Sequence, residues 1–209
     1  MYWTMSHNIV LCVIQKKPTI NMNSILTEDL RENFFIRLYF DDSEGFYKAG
    51  IKRAFLDFSR TLKIKDENRE GLKESAEKFI LVQLTKATKT EFSSQTKFDN
   101  FHKLSCEKLI ETWTQLQFGQ AQKWINMTLK YWLLFGEKRI NGIETNAKYF
   151  HIPIDSYVQK GMFNEKYPKA WSKIEEYETY MNYQRKHREI KTGNYPIIDE
   201  FNFFNNYKP

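Results

Sequence analysis

The chain is short of the residues that staple, ligate or punctuate a fold. Two cysteines, Cys12 and Cys106, stand far apart among 209 residues. They cannot build a disulfide framework or a four-thiolate zinc or iron–sulfur site, and a reducing compartment is the expectation. Four histidines, His7, His102, His151 and His187, are scattered with no pair at metal-ligand spacing. No metal and no cofactor is therefore expected. No apolar run approaches the roughly 20 residues a membrane helix needs. The run at residues 9–14 is short, with no basic residue before it and no small-residue cleavage site after it, which argues against a signal peptide. A cytoplasmic protein is expected. Eight glycines and five prolines leave few breaks, and neither a phosphate-cradling glycine loop nor a Gly-x-Ser-x-Gly elbow occurs.

What is present is a globular composition, with 16% aromatic and 28% charged residues. The length suits one substantial core. The net charge is +6, which favours a polyanionic partner such as nucleic acid.

Helical periodicity dominates. Residues 1–21 read as a leader or, at the β-branched residues 8–14, a short strand, and residues 22–209 as one helical domain. Thr27 is a plausible N-cap, with Glu28 and Asp29 complementing the positive helix end. A second helix is expected over residues 46–64. Its Ile51, Ala54, Phe55, Phe58 and Leu62 share one face, and Lys48, Lys52, Arg53, Arg60 and Lys63 lie largely off it. Further helices are expected over residues 72–86 and 98–115, from Gly119 to near Gly136, after Pro153, and over residues 169–190. Residues 87–97 read as loop, and the aromatic tail at residues 195–207 should dock on the core. The fold class is all-α.

Two stretches carry chemistry. Gly119-Gln120-Ala121-Gln122-Lys123 leads into an apolar helix, and His151-Ile152-Pro153-Ile154-Asp155 leads into another 32 residues later. A lysine and an aspartate at two helix starts can form a nucleophile and its activator. The attacking amine must be unprotonated, which burial and a positive helix end favour. A carboxylate at a helix start, with Pro153 favoured near N1, can stay ionised, accept that proton and steady a developing cation.

These segments resemble the helix-hairpin-helix DNA glycosylases. There Gly-x-Gly-x-Lys opens the helix bearing the catalytic lysine, and Val-Pro-Val-Asp supplies the catalytic aspartate. The separation is longer than in human-type 8-oxoguanine glycosylases and similar to that of their archaeal branch. Ala121 departs from the pattern, standing where the second hairpin glycine would be. The likeness is sharp over residues 115–158 and elsewhere extends only to the number of helices. It implies a DNA glycosylase, with or without lyase activity, acting in base excision on double-stranded DNA that carries a damaged or modified base. Oxidised guanine is the family expectation. Lys123 and Asp155 would be catalytic, and the amides of Gly119 and Ala121 would approach a DNA phosphate. A flipped base needs aromatic faces and a few polar groups. Met127, which shares a helix face with Lys123 and Lys130, is a candidate, as are Gln120, Gln122 and, in the tail, Phe204 with Phe201 and Phe203. A monomer is expected.

The rival reading is a non-catalytic helical nucleic-acid-binding or defence-related interaction protein. A third, a toxin acting on RNA, predicts a clustered Arg/His site. Arg185-Lys186-His187-Arg188 comes nearest to one, and its spacing differs from the Arg-x-x-x-x-His motif of helical ribonucleases.

Overall fold

The computed structural model describes residues 25–63, 68–190 and 192–206. The expected leader or strand before residue 22 lies outside them. The described residues form helices and no strand, so the all-α expectation holds. In order the helices are α1 (Glu28–Tyr39), α2 (Phe46–Ser59), α3 (Arg69–Lys89), α4 (Gln95–Thr112), α5 (Phe118–Phe135), α6 (Ser156–Gly161), α7 (Tyr177–Glu189) and α8 (Pro196–Asn206). Short 3-10 turns occupy Glu144–Tyr149 and Trp171–Lys173.

The molecule is built around α5. Every residue from Phe118 through Lys130 is buried, although the segment includes two lysines, two glutamines and an asparagine. Polar groups tolerate such burial only when they are hydrogen-bonded, so α5 dictates what surrounds it. On the α2 side, Trp124 Nε1 donates to the Ile51 carbonyl at 3.0 Å and Trp132 Nε1 to the Tyr47 carbonyl at 3.0 Å. Gly50 makes room for the second indole: a Cβ there would sit 2.6 Å from Trp132 Cδ1. Phe55, Phe58, Trp113 and Trp124 close this side as one aromatic cluster.

The helix α2 buries the face expected for it, Ile51, Ala54, Phe55, Phe58 and Leu62. Off that face, Lys48 and Lys52 both pair with Glu44. Further out, α3 contributes the stripe Ala76, Ile80, Leu84 and Ala87, and α4 contributes Phe98, His102, Cys106 and Leu109. At the periphery, α1 starts on Thr27, whose hydroxyl accepts from the Leu30 amide at 3.2 Å. Arg139 ties α1 down through Glu32 and Asn33, both at 2.7 Å.

Three boundaries differ from expectation. The helix α2 stops at Ser59. The loop expected over residues 87–97 shrinks, because α3 runs to Lys89 and Ser94 caps α4 by accepting from Lys97 N at 3.3 Å. The long helix expected over residues 169–190 is broken: a 3-10 turn at Trp171–Lys173 and extended backbone at Ile174 precede α7. Tertiary contact explains the break. The Ile174 carbonyl accepts from the Gly119 amide at 2.8 Å, and Trp171 and Ile174 bury against the start of α5. A continuous helix would keep that carbonyl for itself.

Candidate active site

Lys123 lies in the second turn of α5 and its side chain is 7% exposed. Its Nζ lies 2.6 Å from Asp155 Oδ2. Asp155 is the N-cap of α6, in extended backbone, and its other carboxylate oxygen accepts from Val158 N at 2.9 Å. This corrects one expectation. Pro153 is not at N1 but two residues before the N-cap, because a cap needs extended backbone and a side chain free to reach back. Burial by itself would raise the Asp155 carboxyl. The Lys123 ammonium and the Val158 and Tyr157 amides outweigh it, so the net direction is downward and the group stays ionised.

The other candidate residues fall into two groups. Met127 and Lys130 share the Lys123 face of α5, as their spacing requires. Met127 is 7% exposed. The Lys130 ammonium lies 2.8 and 2.5 Å from the two carboxylate oxygens of Glu200 on α8 and 4.9 Å from the ring centroids of both Phe201 and Phe204. Phe204 is 69% exposed and stands at the rim, while Phe203 is half-buried.

The second group is engaged inside the protein. Gln120 uses its carbonyl to accept from Gln117 N at 2.9 Å and its amide to reach the Thr61 hydroxyl at 3.0 Å. Gln122 is fully buried, with its carboxamide filled by four hydrogen bonds to Gly119, Asn126 and Ile154. It has no donor or acceptor left for a base. The Gly119 amide is taken by Ile174 and the Ala121 amide by Gln117, so neither faces a phosphate.

Sequence reasoning missed several groups around the pair. Asp57 on α2 accepts from the Tyr131 hydroxyl at 2.7 Å. Burial raises its carboxyl, an effect that Tyr131 and the Lys123, Arg53 and Lys130 charges only partly offset. Lys130 and Glu200, 70 residues apart, form a buried ion pair. Only the i+7 and i+8 spacing from Lys123 to Lys130 and Tyr131 could have pointed to one half of this ring of charge. No local pattern marks Asp57 or Glu200.

Beneath the pair, His102 and His151, far apart in sequence, lie with ring centroids 4.4 Å apart. His151 contacts Tyr180 Oη through Nδ1 at 2.8 Å and Asp99 through Nε2 at 2.7 Å, and Arg188 clasps Asp99 at 2.8 and 2.9 Å. The basic run at residues 185–188 is thus dispersed, with Arg185 on Glu178, His187 on Asp199 and Arg188 on Asp99.

Burial lowers both histidines. His151 lowers His102 further, and Asp99 pulls His151 only part of the way back. An unfolded histidine titrates near about 6.5, so below that pH the unfolded chain binds protons that the folded one refuses. Stability is therefore expected to be flat above about pH 7 and to fall from about pH 6.5 downward, by up to about 1.4 kcal/mol per pH unit for each of these two and for His187, which burial also lowers. Asp99 is held far below the usual carboxylate range by His151 and Arg188 despite burial; its contribution is lost only under more acidic conditions, below about pH 4. Urea midpoints from pH 7.5 to 5 check this, and a flat profile would refute it.

A concavity of about 950 Å³ runs along α1 beside Leu30, Phe34 and Phe46. It does not touch the Lys123–Asp155 pair. No described helix is long and apolar enough to cross a membrane. No protein-family model, curated protein or solved structure matches the chain.

Proposed function

We propose that the protein is a DNA glycosylase with associated lyase activity, of the helix-hairpin-helix type, acting on a damaged or modified base flipped out of double-stranded DNA. One observation carries the reading: the Lys123 side chain, 7% exposed, ends 2.6 Å from a carboxylate held ionised on a separate element. An amine buried against a proton acceptor is what a nitrogen nucleophile needs.

In this scheme Asp155 takes a proton from Lys123, and the freed electron pair attacks C1′ of the flipped nucleotide. The Nζ–C1′ bond forms as the glycosidic bond breaks, and the bond's electrons leave with the base, which is protonated. The carboxylate then faces the cationic sugar, where a fixed negative charge has most effect. Opening of the C1′–O4′ bond gives a Schiff base. Loss of a C2′ proton expels the 3′ phosphate, and water returns the free amine. Met127, the Lys130–Glu200 pair and Phe204 are the groups on hand to meet a base. The phosphate grip assigned by resemblance to Gly119 and Ala121 has no support, and other amides or cations must supply it.

A second reading, a nucleic-acid-binding protein without chemistry, is favoured by the closure of Lys123, whose charge is already satisfied. Borohydride trapping separates the two, on duplexes carrying an abasic site or 8-oxoguanine. Wild type should form a covalent adduct and Lys123→Gln none. Asp155→Asn should slow trapping by about 10²–10⁴-fold, the range for a positioned acid or base. Binding without any adduct would favour the second reading.

A further inference from the structure

The residues that bring Lys123 and Asp155 together are not the two themselves. Gln122, the residue before Lys123, holds Ile154, the residue before Asp155. Its Nε2 donates to the Ile154 carbonyl at 2.9 Å and its Oε1 accepts from the Ile154 amide at 3.2 Å. Nε2 also donates to the Gly119 carbonyl at 2.9 Å, and Oε1 accepts from Asn126 Nδ2 at 3.1 Å. A carboxamide has two donor hydrogens and two acceptor lone pairs, and all four are used. The orientation is unambiguous, because a backbone N–H can meet only the oxygen.

A matching clamp sits two residues earlier. Gln184 of α7 accepts from Ile152 N at 3.1 Å and donates to the Ile152 carbonyl at 2.8 Å. The 151–155 strap is therefore gripped by side-chain amides at alternate residues, in the way a neighbouring strand would grip it. Ile152 and Ile154 are both 0% exposed. A hydrogen-bonded chain continues from Asn126 to Tyr180 Oη at 2.9 Å, to His151 Nδ1 at 2.8 Å, and on to Asp99.

We propose that Gln122 is the positioning residue of the site, fixing through its two-point bond to Ile154 the register at which Lys123 meets Asp155. The inference rests on the reading of that pair as nucleophile and activator. Lys123 and Gln122 project from one turn of α5, and Asp155 and Ile154 are consecutive on the strap, so locking one pair sets the other. Gln184 anchors the same strap but from α7, and it holds no residue adjacent to Asp155.

The test compares wild type with Gln122→Met, which keeps length and removes both bonds, and Gln184→Met, which breaks the other clamp. Gln122→Glu serves if Gln122→Met does not fold: it keeps the acceptor for Ile154 N and loses the donor. Single-turnover trapping on abasic duplex is measured from pH 6 to 9, alongside DNA affinity and the urea midpoint. A small misplacement of reacting groups costs about 10²-fold. The Gln122 variant should lose about that much rate, with a displaced pH profile and affinity within about 3-fold. Gln184→Met should stay within about 3-fold in rate for a comparable stability loss. Wild-type rates in a folded Gln122 variant, or equal rate losses in both variants, would overturn the proposal.

A second readout is the Lys123 side-chain ammonium signal in ¹⁵N-lysine NMR spectra, which needs no substrate. Its disappearance in the Gln122 variant alone supports the clamp; its persistence there overturns it. If wild type forms no adduct, the glycosylase reading fails while the clamp is still decided by this signal.

Discussion

Gly119→Ala is expected to destabilise the protein by about 1–5 kcal/mol. A Cβ at this position would fall far inside contact distance of the Trp171 carbonyl oxygen, 3.0 Å from the Trp171 carbonyl carbon and 3.3 Å from Ile174 Cβ. The obstruction is backbone, so no rotamer relieves it. Overpacking of this kind costs about 1–3 kcal/mol. Moving the Trp171–Ile174 segment also breaks the bond from Gly119 N to the Ile174 carbonyl, leaving a buried donor at a cost of about 1–3 kcal/mol. The helix propensity gained from alanine, about 1 kcal/mol, works the other way and is the smaller term. Gly71 in α3 is the control, since its added methyl meets only the side chain of Asn68. Gly71→Ala is expected within about 1 kcal/mol of zero. Urea unfolding of both variants distinguishes the sites, and a Gly119→Ala protein as stable as wild type would mean that the Trp171–Ile174 segment does not press on α5 as described.

Breaking the Lys130–Glu200 pair should be the second large effect. Both side chains are buried, at 8% and 6% exposure. Removing one partner from such a pair strands a buried charge and costs about 3–5 kcal/mol, whereas replacing both with apolar residues of similar volume is often neutral or better. Glu200→Ala is therefore expected to lower stability by that amount, with Lys130 left among Phe201, Phe204 and the α5 core. Lys130→Met combined with Glu200→Leu should recover most of the loss. Thermal and urea unfolding of the single and double variants give the coupling directly. A single variant no more damaging than the double would show that Lys130 escapes to water and that α8 does not close over it. In the proposed enzyme the double variant would be stable and yet impaired in handling the base, which separates the pair's role in folding from its role in recognition.

Much of the fold was legible because α2 and α5 carry clean helical signals. The α2 face was readable from spacing alone, and Gly136 stops α5 with a φ of +73°, which glycine adopts freely. The break before α7 was not legible. Nothing in residues 169–176 opposes a helix as strongly as the Gly119 amide attracts the Ile174 carbonyl, and that contact spans 55 residues of sequence. Ser94 was a readable N-cap, passed over inside a polar stretch that looked like loop. At the site, Lys123 and Asp155 were found because each sits in a short motif. Glu200 and Asp57 were not, since each is an ordinary acidic residue until the fold brings it to α5. Gln122 was legible as a hydrogen-bonding residue, but for a base rather than for the strap. Side-chain chemistry shows in a sequence; whether a partner is internal or external depends on burial, which the α5 pattern understated because polar residues fill it.

The most direct measurement is the site of covalent attachment. Wild-type protein is reduced with borohydride on an abasic duplex, the DNA is digested away, and the modified peptide is sequenced by mass spectrometry. A sugar remnant on Lys123, and its loss in Lys123→Gln, is the expected result. A remnant on another amine, or none under conditions where the DNA is bound, would contradict Lys123 as the nucleophile and leave the buried pair with Asp155 a structural one.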